Sequence, residues 1–248
     1  MRSGIASALA NLWFLTETPD HPLDPGFQEA TAFFGPKHPW RIIAAGAPAD
    51  EVGRTALAHR LTTVTAEPGM LLDPIRAGPA SPAGLTVRNV RTSAELEDFA
   101  TAWCSAFQIP HWIFEMVLPH GLPDDPGTGA RNRLLVGYAG SHPVACSSVI
   151  VSESVAGIFS VGTTRAARGH GYGTALTWRA VEEGQRLGAN VAYLGATAMG
   201  YPVYERMGFR KVAEYPAWVT PVGFLQQIGL LLGMWRLARA ARARTRAA

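Results

Sequence analysis

Residues 159–174 read Phe159-Ser160-Val161-Gly162-Thr163-Thr164-Arg165-Ala166-Ala167-Arg168-Gly169-His170-Gly171-Tyr172-Gly173-Thr174. A β-prone run passes into a glycine-rich turn, and the turn opens a helix whose buried stripe includes Leu176, Ala180 and Leu187, with Gly188 as its stop. A strand, a glycine turn and a helix start together make an anion site. Glycines allow backbone N–H groups to approach oxygens closely, and the helix start adds a partial positive charge. Arg168 adds a fixed charge, which suits a pyrophosphate. A glycine-rich tight turn without a ligand is the competing reading. The dinucleotide fingerprint fails because Thr174 stands where its third glycine belongs, the P-loop lysine is absent, and the nucleophile-elbow spacing is one residue too long.

The surroundings set this turn in a series of elements. Leu85–Val90 reads as a strand. Thr92 and Glu95 form a capping box ahead of Leu96, Phe99, Trp103 and Phe107 at helical spacing, and His111–Leu118 reads as a second short helix. Pro119–Gly129 is a loop. Arg133–Tyr138, Val144–Ser152 and Ala156–Thr164 are strands, with a turn at Gly140–Pro143. After the glycine turn and its helix come a strand at Val191–Ala196, a helix at Pro202–Met207 stopped by Gly208, and strand again from Phe209 to Val219. The expected order is β-α-α-β-β-β-α-β-α-β.

About 30 residues beyond the glycine turn stands Leu194-Gly195-Ala196-Thr197-Ala198-Met199-Gly200-Tyr201-Pro202-Val203-Tyr204-Glu205-Arg206-Met207-Gly208-Phe209. The Arg168–Gly173 turn resembles the R-x-x-G-x-G/A acetyl-CoA motif of the GNAT (general N-acetyltransferase) superfamily, and Tyr204-x-x-x-Gly208-Phe209 resembles the family's second mark. The resemblance covers roughly residues 85–219. It implies an α/β (α+β) fold, a central mixed sheet flanked by helices that splays between the family's fourth and fifth strands. Val161, Gly162 and Thr163 match the positions that pair with the pantetheine arm of acetyl-CoA. Arg168, Gly169, His170, Gly171, Tyr172, Gly173 and Thr174 match the pyrophosphate loop. Tyr204 matches the general acid, beside the alternatives that it only packs or only orients the sulfur. The implied activity is transfer of an acetyl or similar acyl group to a primary amine of a small molecule or peptide. A catalytically silent acyl-CoA-binding module is the alternative.

The resemblance names no general base. The strand Ala156–Thr164 has no acid, and Glu115, Glu153, His111 and His120 are candidates by type alone. Trp103, Phe107, Trp112 and Phe114 fall where the family builds its acceptor wall, although helical spacing favours core for Trp103 and Phe107. Arg165 stands where the family commonly has Pro. The histidines show no metal-ligand spacing, and no aromatic-basic module points to nucleic acid.

The rest of the 248-residue chain is less legible. Residues 1–80 are expected to be an N-terminal extension, with a degenerate half-GNAT lobe as one reading: an apolar helix at Ala8–Leu15, a strand at Trp40–Ala45, a helix at Asp50–Arg60 capped by Asp50, and a short strand at Met70–Leu72. Gly78–Gly84 is a linker. Residues 220–248 form an apolar then Arg-rich tail. Its last 13 residues hold five arginines and no acid, so the net charge of +3 is a property of the tail. An interfacial helix on anionic lipid is one reading of Val222–Trp235, and a helix packed on the domain or a partner is the other. Hydrophobic residues at 48% and charged residues at 17% provide for a packed core and exclude global disorder. The Ala-, Gly-, Pro- and Arg-rich composition suggests a bacterial, GC-rich genome. Cys104 and Cys146 form no C-x-x-C, which points to a reducing, cytoplasmic setting. The N-terminal apolar run lacks a convincing cleavage site, so a signal peptide is not expected.

Overall fold

A computed structural model describes residues 11–17, 22–45, 49–118 and 131–221. The chain divides into two compact units, residues 68–213 and residues 1–67 with 214–248. The mixed α/β class expected from the sequence is what the structure shows.

The larger unit contains the end of β3 (Thr62–Leu72), β4 (Leu85–Asn89), α3 (Ser93–Phe107), α4 (His111–Val117), β5 (Arg131–Ala139), β6 (His142–Ser152), β7 (Val155–Thr163), α5 (Tyr172–Arg186), β8 (Val191–Gly195), α6 (Tyr201–Arg206) and the start of β9 (Arg210–Val219). From β4 onward this is the order expected from the sequence. Its strands run β3-β8-β7-β6-β5-β4 across the sheet. Neighbours are antiparallel except β7 and β8, which are parallel.

Each element follows from its residues. Thr92 accepts from the Glu95 amide and the Glu95 carboxylate accepts from the Thr92 amide, so the expected capping box starts α3. The helix ends at Gln108, in the left-handed region at φ 56°. Gly140, at φ +60°, makes the tight turn between β5 and β6. The central strand β6 is buried on both faces, and small residues fill it: Ala145, Cys146, Ser147 and Ser148. Ser147 Oγ donates to the Leu176 carbonyl, which satisfies a hydroxyl with no access to water.

Two packed layers sandwich this sheet. One is α5 with the buried Leu176, Trp178, Ala180 and Val181, set against Val149, Val151, Ala156, Ile158 and Leu194. The buried face of α5 is wider than the expected stripe, because Thr177 and Gly184 are also enclosed. Leu187 is only partly buried, since the helix stops one residue before it. A Cβ on Gly184 would lie 2.5 Å from the Ala156 Cβ, so α5 approaches β7 more closely than any side chain there would permit. The second layer is α3 and α4, which bury Phe99, Ala100, Ala102 and Phe114 against Leu134 and Cys146.

The smaller unit holds β1 (Leu12–Leu15), α1 (Leu23–Phe34), β2 (Arg41–Ala44), α2 (Ala49–Ala58), the start of β3 and the end of β9. β1 is parallel to β2, and β2 is antiparallel to β9. An aromatic core of Phe27, Phe34, Trp40 and Trp218 closes it, with Ile42, Val52 and Leu61. Gly53 leaves room for the Trp218 indole, which a Cβ would meet at 2.9 Å.

Several expectations for residues 1–80 are corrected. Leu12–Leu15 is a strand, not the end of an apolar helix, because it pairs with β2 over its full length. Asp50 lies inside the first turn of α2, where its carboxylate faces the positive helix end, and is not the cap. The strand ending at Leu72 starts at Thr62, well before Met70. α1 has no counterpart in the sequence reading. The tail 222–248, the loop at Pro119–Gly129 and residues 1–10 lie outside the described residues. Among the described residues no helix is long and apolar enough to cross a membrane.

Replacing Thr92 with Ala is expected to lower stability by about 1 kcal/mol in urea unfolding. An unchanged midpoint would mean the capping box contributes nothing measurable.

Candidate active site

The site begins with an irregularity in β7. Cys146 pairs with Gly162 and Ser148 with Phe159, so Ser160 and Val161 together oppose the single residue Ser147. This is a β-bulge, and Ser160 takes φ +54° to make it. The bulge resets the alternation of side chains. Ile158 and Val161, three apart, both meet the α5 core, whereas Gly162 faces α3. A Cβ on Gly162 would lie 2.7 Å from the Ala106 Cβ and 3.1 Å from the Phe107 ring.

The sheet opens at the same place. β7 pairs with β8 only at residues 155–157, against 191–193. Beyond that, Leu194 and Gly195 keep their pairing to Met70 and Gly69 of β3. From Ile158 to Thr163 the edge of β7 that faces β8 has no strand beside it among the described residues. Val161, Gly162 and Thr163 lie on this open edge, all partly exposed.

Past Thr163 the Thr164 amide donates to the Val144 carbonyl, and Arg165–Ala167 form one 3-10 turn. Arg168 Nε donates to the Thr163 carbonyl at 3.3 Å and its Nη2 to the Ala106 carbonyl at 3.2 Å. The guanidinium thereby braces the end of β7 and the last turn of α3. His170 Nδ1 lies 3.0 Å from the Arg168 carbonyl, and its ring stacks on Tyr172. Gly169 and Gly171 sit at φ +83° and +76°. Gly171 is the N-cap of α5, no side chain caps the helix, and its first turn carries no acid. The amides of Tyr172, Gly173 and Thr174 therefore point out of a 15-residue helix with its positive end uncompensated. A Cβ on Gly173 would stand 3.3 Å from Thr163 Oγ1, so the helix start lies directly against the strand end.

Tyr204 projects from α6 into the same packed cluster that Val161 and Tyr172 line. It is 9% exposed. Burial raises its phenol above the ordinary value, and a hydrogen bond with Thr177 opposes that shift. Thr177 lies six residues into α5 from Gly171, roughly 9 Å along the helix. The ring packs edge-on to Phe209, and Gly200 leaves it space that a Cβ would take. The glycine loop and the phenol are thus connected through α5. Thr177 and the bulge at Ser160 are site features that the sequence reading missed. No motif marks Thr177, and a bulge has no residue signature here.

The other candidates disperse. Glu153 sits in the β6–β7 turn, at the end of β7 away from the bulge. His111 Nε2 lies 2.9 Å from Glu97 Oε1 and its Nδ1 3.7 Å from Glu115, so it clasps α4 to α3. His120 lies outside the described residues. Phe114 is core and Trp103 packs against that core, while Trp112 is half-buried. Phe107, for which core was favoured, is 44% exposed beside Gly162. No group of three or more His, Cys, Asp or Glu residues suited to a metal occurs among the described residues.

A bulged strand with an open edge leads into an uncapped helix start, a geometry in which backbone donors of both face the same side of an α/β domain. Residues 96–209, a little under half of the chain, match the model of the acetyltransferase (GNAT) family, so this part of the larger unit is GNAT-like. Among solved structures it is similar to a GCN5-related N-acetyltransferase from Kribbella flavida, at 21% identity and TM-score 0.58, over 77% of this chain and 70% of that one. A GCN5-related N-acetyltransferase from Sphaerobacter thermophilus aligns at 19% identity and TM-score 0.60, over 79% of this chain and 64% of that one. A functionally unknown conserved protein from Staphylococcus epidermidis aligns at 10% identity and TM-score 0.60, over 87% and 86%. At these identities the likeness is one of fold. No curated protein matches the sequence.

Gly171→Val places a β-branched residue at φ +76° and should abolish binding of acetyl-CoA in calorimetry while circular dichroism stays native. Normal binding by a folded variant would contradict the loop assignment.

Proposed function

We propose that the chain transfers an acetyl or similar acyl group from acetyl-CoA to a primary amine of a small molecule or peptide, both held at once in the larger unit. The observation that carries this reading is the uncapped, acid-free start of α5 at the end of the unpaired, bulged edge of β7. The diphosphate of the donor fits the first-turn amides of α5 and the turn at Gly169–Thr174. The pantetheine amides fit the open edge at Val161–Thr163, where they would add as a strand does. That arrangement directs the thioester inward, toward the cluster that contains Tyr204.

The acceptor nitrogen, as a neutral amine, attacks the thioester carbonyl. The C–N bond forms, the C–S bond breaks, and the electron pair leaves on sulfur. In this reading the Tyr204 hydroxyl donates to that sulfur, and the proton lost from the nitrogen leaves through water. A cysteine-linked intermediate is disfavoured. Burial pushes the Cys146 thiol, beside Gly162, up to about 12, and it also raises Cys104. Neither is a thiolate at neutral pH, so direct transfer in a ternary complex is the simpler route.

A second reading is a silent acyl-CoA-binding module. It draws on the lack of any carboxylate on β7 and on the depth of Tyr204. Both cysteines are free, which fits the cytoplasmic setting proposed for the chain.

Tyr204→Phe is expected to lower turnover about 10²-fold or more while acetyl-CoA affinity stays within a few-fold. Because its phenol is raised above 10, the acid form persists through neutral and mildly basic pH. Wild-type turnover should therefore show no loss from this group through neutral and mildly basic pH. Thiol release from acetyl-CoA across an amine panel is the measurement. Binding without release for every amine favours the silent module, and unchanged turnover in the variant removes Tyr204 from the mechanism.

A further inference from the structure

Beyond its last pair with β8, β7 divides its side chains between two faces. Ile158 and Val161 are taken up by the α5 core. Phe159 follows Ile158 and faces the other way, the side on which Gly162 meets Ala106 and Phe107 of α3. On that side Phe159 and Phe107 are each 44% exposed.

Both rings are held in position. Gly157 has no side chain, and the Phe159 ring takes up the space. A Cβ on Gly157 would lie 2.7 Å from its Cε2 and 3.0 Å from its Cζ. The ring therefore leans back along the strand over Gly157, which pairs with Tyr193 where β7 and β8 part. Tyr193 stands between Ala192 and Leu194, both buried in the α5 core, so it faces the same side as Phe159, partly exposed. Phe107 rests against Gly162, with its ring centroid 5.7 Å from that of Trp103. This side of the open edge is thus aromatic, with Tyr193 and Phe159 where the strands part and Phe107 nearer the glycine turn.

The charges beside these rings have one sign. β7, β8 and the last turn of α3 contain no aspartate or glutamate. Arg168 supplies a guanidinium at the end of α3, fixed to the Thr163 and Ala106 carbonyls. A second ammonium on an acceptor would meet no carboxylate on these elements and one fixed positive charge. An aromatic group would meet open ring faces.

We propose that the acceptor is a monoamine with an aromatic group close to its nitrogen, that Phe159 is the platform for that group, and that polyamines are discriminated against. The proposal rests on the acyl-transfer reading above. A donor paired along Val161–Thr163 has its thioester end at the bulge, next to Phe159. The α5 side of the strand is filled by packed core, so the amine reaches the carbonyl from the side of the rings. Apolar surroundings disfavour an ammonium. They therefore favour the neutral, nucleophilic amine on a strand that carries no carboxylate to take its proton.

The test is thiol release from acetyl-CoA by the full chain with 2-phenylethylamine and with 1,4-diaminobutane, for wild type, Phe159→Ala and Phe159→Tyr, beside calorimetry with acetyl-CoA. Wild type should show kcat/KM about tenfold or more higher for 2-phenylethylamine. Phe159→Ala should lower that value about tenfold, mainly through KM, and leave 1,4-diaminobutane within about twofold. Phe159→Tyr keeps the ring and should keep the preference. A wild type that uses the diamine as well as the aromatic amine, or an equal loss for both amines in Phe159→Ala, overturns the proposal while the transfer reading stands. If acetyl-CoA does not bind, or binds without thiol release for any amine, the transfer reading falls and this proposal falls with it.

Discussion

The close approach of α5 to β7 is the constraint on which the rest depends. Gly184 lets the helix axis come within contact of Ala156, and Gly173 sets its first turn against Thr163. A helix held farther out would need larger side chains to fill the gap, and its start would no longer face the end of the bulged strand. The same contact fixes Thr177, through which the phenol of Tyr204 is oriented. Packing of small residues thus sets the distance between the uncapped start of α5 and the phenol of Tyr204. The energetic gain is the burial of Leu176, Val181, Val149 and Ile158, each worth roughly 1.5–3 kcal/mol.

The bulge at Ser160–Val161 is the second condition, and it acts on the sheet edge. Without it Val161 would turn away from the α5 core and Gly162 would turn toward it, because side chains alternate strictly along a regular strand. With it, a glycine faces the crowded end of α3 and the strand bends where β8 leaves. Arg168 then ties the end of β7 to the end of α3 through two carbonyls. The sequence suggests that its charge serves the anion. In the structure two nitrogens of the guanidinium, Nε and Nη2, are engaged by backbone carbonyls.

Legibility followed locality. The capping box at Thr92–Glu95, the stops at Gly188 and Gly208, and the Arg168–Gly173 turn each depend on residues within one turn of chain, and each is visible in sequence. Leu12–Leu15 was not, because an apolar run preceded by alanines has helical propensity and only pairing with Arg41–Ala44 makes it a strand. α1 is hidden by Asp24-Pro25-Gly26, which reads as a turn although Pro is tolerated in a first helical turn. β3 is obscured by the polar Thr62–Glu67 and by Pro68. The sequence marks Tyr204 by its spacing to Gly208 and Phe209, and the structure buries it in the α5 core. Its partner Thr177 is not marked, because that contact joins two helices and has no local signature. Phe107 has helical spacing like its neighbours, and only the nearby Gly162 shows why its ring stays exposed.

Burial of Tyr204 constrains how it can assist a departing thiolate. An ordinary thiol loses its proton near 8.5 and an ordinary phenol near 10, and burial moves this phenol further up. Complete transfer from the phenol to a solvated thiolate would therefore be uphill by at least ~2 kcal/mol. The useful contribution is a hydrogen bond that strengthens as charge builds on sulfur, in a site where little water competes. The hydrogen bond with Thr177 opposes the upward shift without cancelling it, and Thr177 Oγ1 itself donates to the Gly173 carbonyl. On the proposed reading the phenol stays protonated for the next turnover, the proton lost from the nitrogen leaves through water, and the thiolate takes its proton from the same solvent. A side chain in this role needs fixed position more than acidity, and the packing of Gly200, Phe209 and Thr177 around Tyr204 supplies it.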